Sequence, residues 1–240
     1  MGGDLHTSDG KRCKKTNNYS SWEFTIPNMQ VFFQLIVTHL IVGATEERAT
    51  KLRAQLGQVS TEKFKSTTLE HLFQQFKFPH ISDVMDKIGG VKAEDTPEVA
   101  MEYVRERGFF SFHEWEAIKF VVMLFLQYAK YIHNFDVEKF IRESGVAPIW
   151  NHESNHVWGT DNVEWTYVKR GAVINANGVN AMLIRETLFR KDAVAAGDAA
   201  KVAEYDALIA DYLAHLGIDG PKQDLLTKMW EHVGITSLFQ

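Results

Sequence analysis

Four short blocks of polar, aromatic and glycine residues follow one another along this chain, and their order constrains its fold more than any other feature. They are residues 68–78 (TLEHLFQQFKF), 115–119 (WEAIK), 158–160 (WGT) and 178–180 (GVN). In the first block Glu70, Gln74 and Lys77 are four and then three positions apart, which places them on one face of a single helix. No block is decisive alone, but all four in this order are hard to obtain by chance.

The four blocks resemble those of the NADAR family, the YbiA-like N-glycosidases. Members of that family read approximately S-x-E-H-x-F-Q-x-x-K-F, W-x-x-x-K, W-G-T-G and G-x-N-x-L-G, and the similarity here covers roughly residues 65–190. The resemblance implies an α+β fold: a mostly helical single domain of the NADAR type with a few short strands. A catalytic domain over 21–190, with an insertion at 31–58, would lie between a flexible N-terminus (1–20) and a C-terminal helical extension (191–240).

The chain departs from the family pattern at three places. Asp161 stands where the last glycine of W-G-T-G is expected, and Met182 and Leu183 replace the L-G that follows G-x-N. The family's opening strand, F-S-N-F, has only a weak counterpart in residues 19–24 (YSSWEF). These departures predict a substrate pocket that differs from that of a typical member.

Capping residues and hydrophobic periodicity predict several helices. Thr45 begins a helix with an acidic first turn, and Gly57 ends it. Apolar residues recur at helical spacing from residue 113 to about 131. Other helices are predicted through the first block (capped by Thr67 or Thr68) and over 96–108, 136–144, 181–190, 198–216 and 222–233, with short strands at 164–168 and 172–174. The apolar run 31–42 is too short and too often interrupted to span a membrane, which favours a buried helix or strand.

Composition narrows the class of protein. A chain of 240 residues can bury one large core or two small ones. Its formal charge of −5 provides no basic surface for a long nucleic-acid backbone, so nucleic acid would be handled through one captured nucleotide. The single cysteine, Cys13, fits a reducing compartment, and no apolar signal segment follows the basic residues near the N-terminus. The sequence therefore predicts a cytoplasmic protein without a membrane segment.

Glu70 and Lys77 are the candidate catalytic residues of the first block. A carboxyl group beside an apolar wall is favoured in its neutral form, whereas a nearby ammonium favours the charged form. Such a pair suits acid–base chemistry near neutral pH. On spacing alone, a solvated ion pair on a surface helix is the commoner arrangement. The resemblance reverses that preference, since it places this helix face in the pocket, with Gln74 as a substrate-binding residue.

The second and third blocks supply flat aromatic surfaces, and a candidate for a second carboxylate directly follows the third block. Trp115 and Trp158 offer faces against which a base or sugar can lie, although tryptophan is often simply a core residue. Gly159 allows the backbone to approach a ligand closely. Breaking a C–N glycosidic bond develops positive charge on the sugar, so Asp161 is the candidate for a second carboxylate near the anomeric carbon.

Besides Gln74, three residues are candidates for binding the polar groups of a substrate. Asn180 and Arg190 match the family's G-x-N and a distal arginine, and would hold hydroxyls or a phosphate. Asn180 is equally suited to capping a helix. Lys77 either clamps a hydroxyl or phosphate, or attacks the opened sugar aldehyde to form a Schiff base, which requires a lowered lysine pKa.

The resemblance implies an N-glycosidase that hydrolyses the C–N bond between ribose, in ADP-ribose or a ribose phosphate, and a base or amine. Two substrate classes follow from it: ADP-ribose attached to guanine in nucleic acid, and the phosphoribosylamino intermediates of riboflavin synthesis. This chemistry requires no metal and no cofactor. The first alternative is a non-catalytic module that binds ADP-ribose or another nucleotide in the same pocket.

A competing pattern, H-E-x-x-H, occupies residues 152–156. Zinc binding would require His152 and His156 on one face of a helix, with Glu153 as the base. The position of a third ligand is Asn162, which is a poor ligand for zinc, and the neighbouring residues are weak helix formers. A zinc metallopeptidase is therefore the second and less favoured alternative.

Overall fold

A computed structural model of the protein describes residues 3–79, 108–153, 157–160 and 174–239. In these ranges helix predominates, and the strands form two small antiparallel sheets. The strands are β1 (Leu5–Thr7), β2 (Arg12–Cys13), β3 (Ser21–Ile26), β4 (Phe64–Thr68) and β5 (Ile149–Asn151). The helices are α1 (Met29–Leu40), α2 (Glu46–Leu56), α3 (Leu69–Gln75), α4 (Phe112–Ile132), α5 (Phe135–Glu143), α6 (Ala176–Ala196), α7 (Ala199–His215) and α8 (Gly220–His232). The predicted α+β class, with helix in the majority, is confirmed.

Some predictions concern residues outside the described ranges. They are Asp161, all but the last residue of the helix predicted over 96–108, the strand predicted at 164–168, and the first two residues of the strand predicted at 172–174; Ile174 is described and belongs to no strand.

The N-terminal segment differs from the flexible tail that the sequence predicts. β1 is the central strand of a three-stranded sheet, in which it pairs with β2 on one side and with β5 on the other. Leu5 is buried, and its backbone N–H donates to the hydroxyl of Thr16 at 2.8 Å. The pairing joins the first residues of the chain to residues 149–151, a contact between distant segments that local sequence patterns do not reveal.

The second sheet leads the chain into the helix of the first block. β3 pairs with β4, and its alternate residues Trp22, Phe24 and Ile26 are buried in the core, as the period of two in a strand requires. β4 continues directly into α3, where the hydroxyl of Thr68 accepts a hydrogen bond from the backbone N–H of His71. Thr68 is therefore the cap, one of the two residues that the sequence predicts for this role.

The predicted insertion folds as a pair of helices. α1 contains most of the apolar run 31–42 and buries Phe32, Phe33 and Ile36, so the interpretation as a buried helix is confirmed. α2 begins after Thr45 and ends at Gly57, as its capping signals predict. The described part of the chain contains no helix that is long and apolar enough to cross a membrane.

The long helix α4 runs through the core and positions the second block. Ser111 and Glu114 form a capping box at its start, with each side chain bonded to the other residue's backbone N–H. Most residues from Val121 to Tyr131 are buried at 4% exposure or less, so this half of the helix is surrounded by protein. The C-terminal helices belong to the same core, because Trp230 of α8 is fully buried and its indole N–H donates to the carbonyl of Phe125 at 3.2 Å.

Candidate functional site

Glu70 lies in the first turn of α3 and is only 4% exposed. Its backbone N–H donates to the carbonyl oxygen of Asn18 at 3.1 Å, which joins α3 to the loop before β3. Its Oε1 accepts from Nε2 of Gln74 at 2.7 Å, and Oε1 of Gln74 accepts from Nζ of Lys77 at 3.0 Å. The structure thus connects the three polar residues of the first block in one chain of hydrogen bonds, with the amide between the carboxyl group and the amine.

The helix that carries this block is shorter than predicted. α3 ends at Gln75, and Lys77 lies in the turn that follows rather than on the helix itself. The backbone N–H groups of Lys77 and Phe78 donate to carbonyls only three residues earlier, which tightens the turn. Phe76 and Phe78 are both fully buried, and packing them in the core outweighs continuation of the helix.

Burial sets the electrostatics of Glu70 and Lys77. Desolvation raises the pKa of Glu70, against the opposing effects of its hydrogen bond from Gln74 and of the Lys77 charge. Desolvation likewise lowers the pKa of Lys77, while the Glu70 charge opposes that shift. Both shifts favour the neutral form of the side chain. They also move both pKa values toward neutral pH, where proton transfer by a side chain is most effective in catalysis.

Aromatic rings surround the lysine. Nζ of Lys77 lies 5.3 Å from the ring centroid of Phe73 and 5.2 Å from that of Trp115, within the range of cation–π contact. The Phe73 ring meets the rings of Trp115 and Trp158 edge to face, at 5.1 and 5.4 Å. Trp115 is partly exposed, whereas Trp158 is 6% exposed and also packs on Phe120. Trp115 therefore offers the accessible face, and Trp158 is mainly packed in the core.

The loop of residues 17–20 forms a further wall beside Glu70. Lys130 of α4 is fully buried, and its Nζ donates to the carbonyl of Asn17 and to the hydroxyl of Ser20, both at 2.7 Å. Burial lowers the pKa of Lys130 to about 8. Within the loop, the pKa of Tyr19 is raised first by burial and then by the charges of Glu70 and another carboxylate, Glu153. The sequence patterns indicated no role for this loop, although its last two residues overlap the weak counterpart (19–24) of the family's opening strand.

Glu153 is a second carboxylate near Glu70. Its Oε2 accepts from the side-chain amide of Asn151 at 3.0 Å, at the end of β5. Its negative charge contributes to the raised pKa of Glu70, after burial and the opposing effects of other neighbours. A Cβ atom added to Gly159 would lie 2.4 Å from the carbonyl oxygen of Asn151 and 3.0 Å from Cβ of Glu153. Gly159 is therefore required for the close approach of its own segment to β5.

The start of α6 holds this segment in place. Asn175 precedes the helix with φ of +48°, and its side chain bonds to the backbone of β5 at Asn151 N and Ile149 O. The backbone N–H groups of Ala176 and Asn177 donate to the carbonyls of residues 157 and 158. The backbone that carries Trp158 is thus fixed by two hydrogen bonds from the first turn of α6.

The predicted residues Asn180 and Arg190 have different surroundings. Asn180 is fully buried inside α6, which begins earlier than predicted, so Asn180 does not cap it. Its Nδ2 donates to Gln127 of α4 at 2.8 Å, which ties the two helices together. Arg190 lies ten residues further along α6, about 15 Å away along the helix axis, and forms an ion pair with Asp206 of α7. The structure therefore does not bring Arg190 together with Asn180.

Two buried polar atoms beside α3 have no hydrogen-bond partner among the described residues: Oε2 of Glu70 and Nδ2 of Asn18. Asn18 is 3% exposed, and its carbonyl is the one that receives the Glu70 backbone N–H. Leaving such groups unpaired costs free energy, so native proteins seldom do so without a functional reason. The two atoms are an oxygen of a carboxyl group whose neutral form burial favours and one amide donor, which are the groups that a polar ligand at this place would pair.

The zinc pattern receives no support from the residues that can be described. His152 and Glu153 follow β5 outside any helix, whereas the H-E-x-x-H site requires a helix. Residues 154–156, including His156, lie outside the described ranges. Among the residues that the structure does describe, no three histidine, cysteine or acidic side chains form a group that could hold a metal ion.

In comparisons with known proteins, no family model, curated protein or solved structure matches this chain.

Proposed function

We propose that this protein is an N-glycosidase of the NADAR type, which hydrolyses the bond between a ribose carbon and the nitrogen of a base or amine. The observation that carries the proposal is the state of Glu70: a buried carboxyl group with a raised pKa, one oxygen bonded to Gln74 and the other unpartnered among the described residues. The order of the four sequence blocks supports the same assignment.

The reaction needs one proton to be delivered and one to be removed. As the C–N bond breaks, its electron pair goes to the nitrogen, which takes a proton, while the oxygen of water bonds to the anomeric carbon and loses one. A protonated Glu70 can supply the first proton, and the resulting carboxylate can accept the second. A raised pKa moves the exchange between the two forms toward neutral pH, as suits a general acid that also acts as a base.

Positive charge on the sugar needs a negative neighbour in the transition state. The sequence assigned this role to Asp161, which lies outside the described residues. Glu153 is a described carboxylate whose charge acts on both Glu70 and Tyr19. Asn151 holds it in place through the 3.0 Å hydrogen bond. In this proposal Glu153 contributes negative charge near the reacting sugar, in addition to the charge of Asp161.

Lys77 has two chemically distinct roles in the proposal. As an ammonium ion, it holds a hydroxyl or phosphate of the substrate. As a neutral amine, which burial favours, it attacks the aldehyde carbon of the opened sugar, and the aldehyde oxygen leaves as water with the two amine protons as the Schiff base forms. Borohydride added during turnover reduces a Schiff base to a stable adduct, which peptide mass analysis would locate at Lys77. Absence of that adduct while turnover continues leaves only the electrostatic role.

The proposal is tested by chromatography of two substrates after incubation with the protein: ADP-ribosylated guanosine and the phosphoribosylamino intermediate of riboflavin synthesis. Each is incubated with wild type and with Glu70→Gln, in the presence and absence of a chelator. We expect wild type to cleave at least one of them equally well with chelator. Glu70→Gln should lose roughly 10²–10⁴-fold in rate, the usual contribution of a general acid or base.

Glu23→Gln is the matched control, because the same change is made on a side chain that is 72% exposed and paired with Lys65 at the surface. It should retain full activity. If wild type cleaves neither substrate but binds ADP-ribose, the protein is a binding module and the enzymatic proposal fails. If chelator abolishes cleavage, metal-assisted chemistry replaces proton transfer by Glu70 as the mechanism.

A further inference from the structure

Asn18 has a buried side chain whose amide nitrogen makes no hydrogen bond to the described residues, which is unusual for an asparagine with a purely structural role. Its side chain is 3% exposed, yet Nδ2 has no hydrogen-bond partner among the described residues. Its backbone carbonyl accepts from the Glu70 N–H at 3.1 Å, so the residue is joined directly to the first turn of α3. Burying an amide donor without a partner is unfavourable, which makes Asn18 costly for the folded protein and calls for a compensating role.

The loop that carries Asn18 is held firmly on both sides of that residue. Lys130 donates to the carbonyl of Asn17 and to the Ser20 hydroxyl, both at 2.7 Å. Oγ of Ser20 in turn lies 2.7 Å from the carbonyl oxygens of both Lys15 and Asn17, which share its one donated proton. Because the backbone on both sides of Asn18 is fixed, the loop itself loses little entropy when a ligand binds, as a preorganised binding segment should.

We propose that Asn18 is a substrate-binding residue, and that its side-chain amide donates a hydrogen bond to a hydroxyl group of the ribose whose bond is cleaved. A hydroxyl has the chemistry to pair the two atoms that have no partner among the described residues, since it can accept from Nδ2 of Asn18 and donate to Oε2 of Glu70. The hydrogen bond to Glu70 places the sugar against the general acid. This inference rests on the proposed function for the identity of the ligand as a ribose.

The test measures binding and stability together, with ADP-ribose and ADP as probes in calorimetry. ADP lacks the distal ribose, so only ADP-ribose presents the hydroxyls concerned. Asn18→Ala should weaken binding of ADP-ribose roughly tenfold, the size of one lost hydrogen bond, and leave binding of ADP unchanged. Since the variant removes a buried donor that lacks a partner in the described part of the chain, its melting temperature should equal or exceed that of wild type.

Asn28→Ala is the matched control. Asn28 caps α1 through a hydrogen bond from the Val31 N–H at 3.0 Å, so its loss should lower the melting temperature by about 2–4 °C while ADP-ribose binding is retained. Asn18→Asp, which keeps the size of the side chain but replaces the donor by an acceptor, serves as the second variant. It should weaken binding at least as much as Asn18→Ala.

Equal affinity of wild type and both Asn18 variants for ADP-ribose would overturn the inference. A drop in melting temperature with unchanged binding would also overturn it, because it would show a purely structural role. Loss of affinity for ADP and ADP-ribose alike would reject the ribose as the group that Asn18 contacts. A wild type that binds ADP-ribose through Asn18 yet cleaves neither glycoside supports the inference and rejects only the enzymatic proposal.

Discussion

At the scale of single residues, the proposed acid is a source of instability as well as of chemistry. Glu70 is 4% exposed, and burial raises its pKa above that of an exposed glutamate. The folded protein therefore holds a proton at Glu70 that the unfolded chain has already released, at every pH between the two pKa values. By linkage, the contribution of Glu70 to the free energy of unfolding falls as pH rises through that interval.

This sign predicts a pH-dependent effect of Glu70→Gln on stability. Below about pH 4, where an exposed glutamate is also protonated, wild type and variant should have similar free energies of unfolding. As pH rises toward neutrality the variant should become the more stable protein, because glutamine cannot ionise. Denaturant unfolding at several pH values measures the difference. A variant that loses stability relative to wild type as pH rises would show that a charged Glu70 is favoured in the fold.

The two tryptophans of the middle blocks should respond differently to replacement by alanine. Trp115 is partly exposed beside Lys77, so Trp115→Ala should weaken binding of ADP-ribose by about 1–3 kcal/mol if a base or sugar lies on its face. Trp158 is buried against Phe73 and Phe120, so Trp158→Ala should lower the free energy of unfolding by about 3–5 kcal/mol.

Calorimetry and denaturant unfolding on both variants separate these effects. Phe135→Ala, on a ring of α5 that is 78% exposed, serves as the control for losing an aromatic side chain and should change neither quantity appreciably. An unchanged ADP-ribose affinity in Trp115→Ala would remove that residue from the binding surface.

At the scale of elements, the junction between β5 and α6 depends on one residue. Asn175 adopts a left-handed backbone conformation, which costs most side chains about 1–2 kcal/mol, and its amide bonds to two backbone groups of β5. Asn175→Ala should therefore lower the free energy of unfolding by at least about 2 kcal/mol, since it retains the strained conformation and leaves two buried backbone groups unpaired. Asn175→Gly should lose about 1 kcal/mol less, because glycine adopts this conformation freely.

Asn134→Ala is the control for this pair of variants. Asn134 also precedes a helix, but it has φ of −126° and its side chain makes no capping hydrogen bond. Its replacement should change stability by less than about 0.5 kcal/mol. Equal destabilisation by alanine and glycine at position 175 would show that the lost hydrogen bonds account for the whole effect and that the backbone is unstrained.

The predictable part of the fold consists of the helices whose bounds depend on nearby residues, through capping residues or hydrophobic periodicity. The bounds of α2 follow from Thr45 and Gly57, and α4 follows from its hydrophobic period, because both depend on neighbours within a few residues. β1 was missed, since its partner strand β5 lies more than 140 residues away. The end of α3 was also missed, because burial of Phe76 and Phe78 in the core decides it. Tertiary packing overrides the helical pattern at that point.

The candidate site shows the same division. The sequence predicted that Glu70, Gln74 and Lys77 lie near one another, because their spacing is short, but it did not predict the hydrogen bonds that join them. Asn18 and Glu153 were not assigned to it, since they come from a terminal loop and from the end of a strand. Spacing in a sequence cannot indicate which separate segments a fold brings together.

At the scale of the whole molecule, the C-terminal helices are inseparable from the core that supports the site. The buried apolar residues form one cluster, which includes Leu226, Met229 and Trp230 of α8 together with residues of α1 and α4. Trp230→Ala should therefore lower the stability of the entire molecule, by about 3–5 kcal/mol. A single unfolding transition, followed by both fluorescence and far-ultraviolet circular dichroism, is the expected result.

Val194→Ala, on a side chain that is 54% exposed, is the control and should leave stability nearly unchanged. Two separate transitions in Trp230→Ala, with the first confined to the C-terminal helices, would show that α8 is an independently unfolding unit.

The carboxyl oxygen of Glu70 and the amide of Asn18, which have no partner among the described residues, also have a consequence for the protein in a living cell. Both groups lower the free energy of unfolding of the protein when no ligand pairs them. A bound ligand that pairs them adds its binding free energy to the stability of the fold. Cellular proteases remove chains in proportion to the fraction that is unfolded, so small gains in stability change abundance several-fold. We expect the half-life of this protein to lengthen when its ligand accumulates, so that the amount of protein follows the supply of the molecule that it binds.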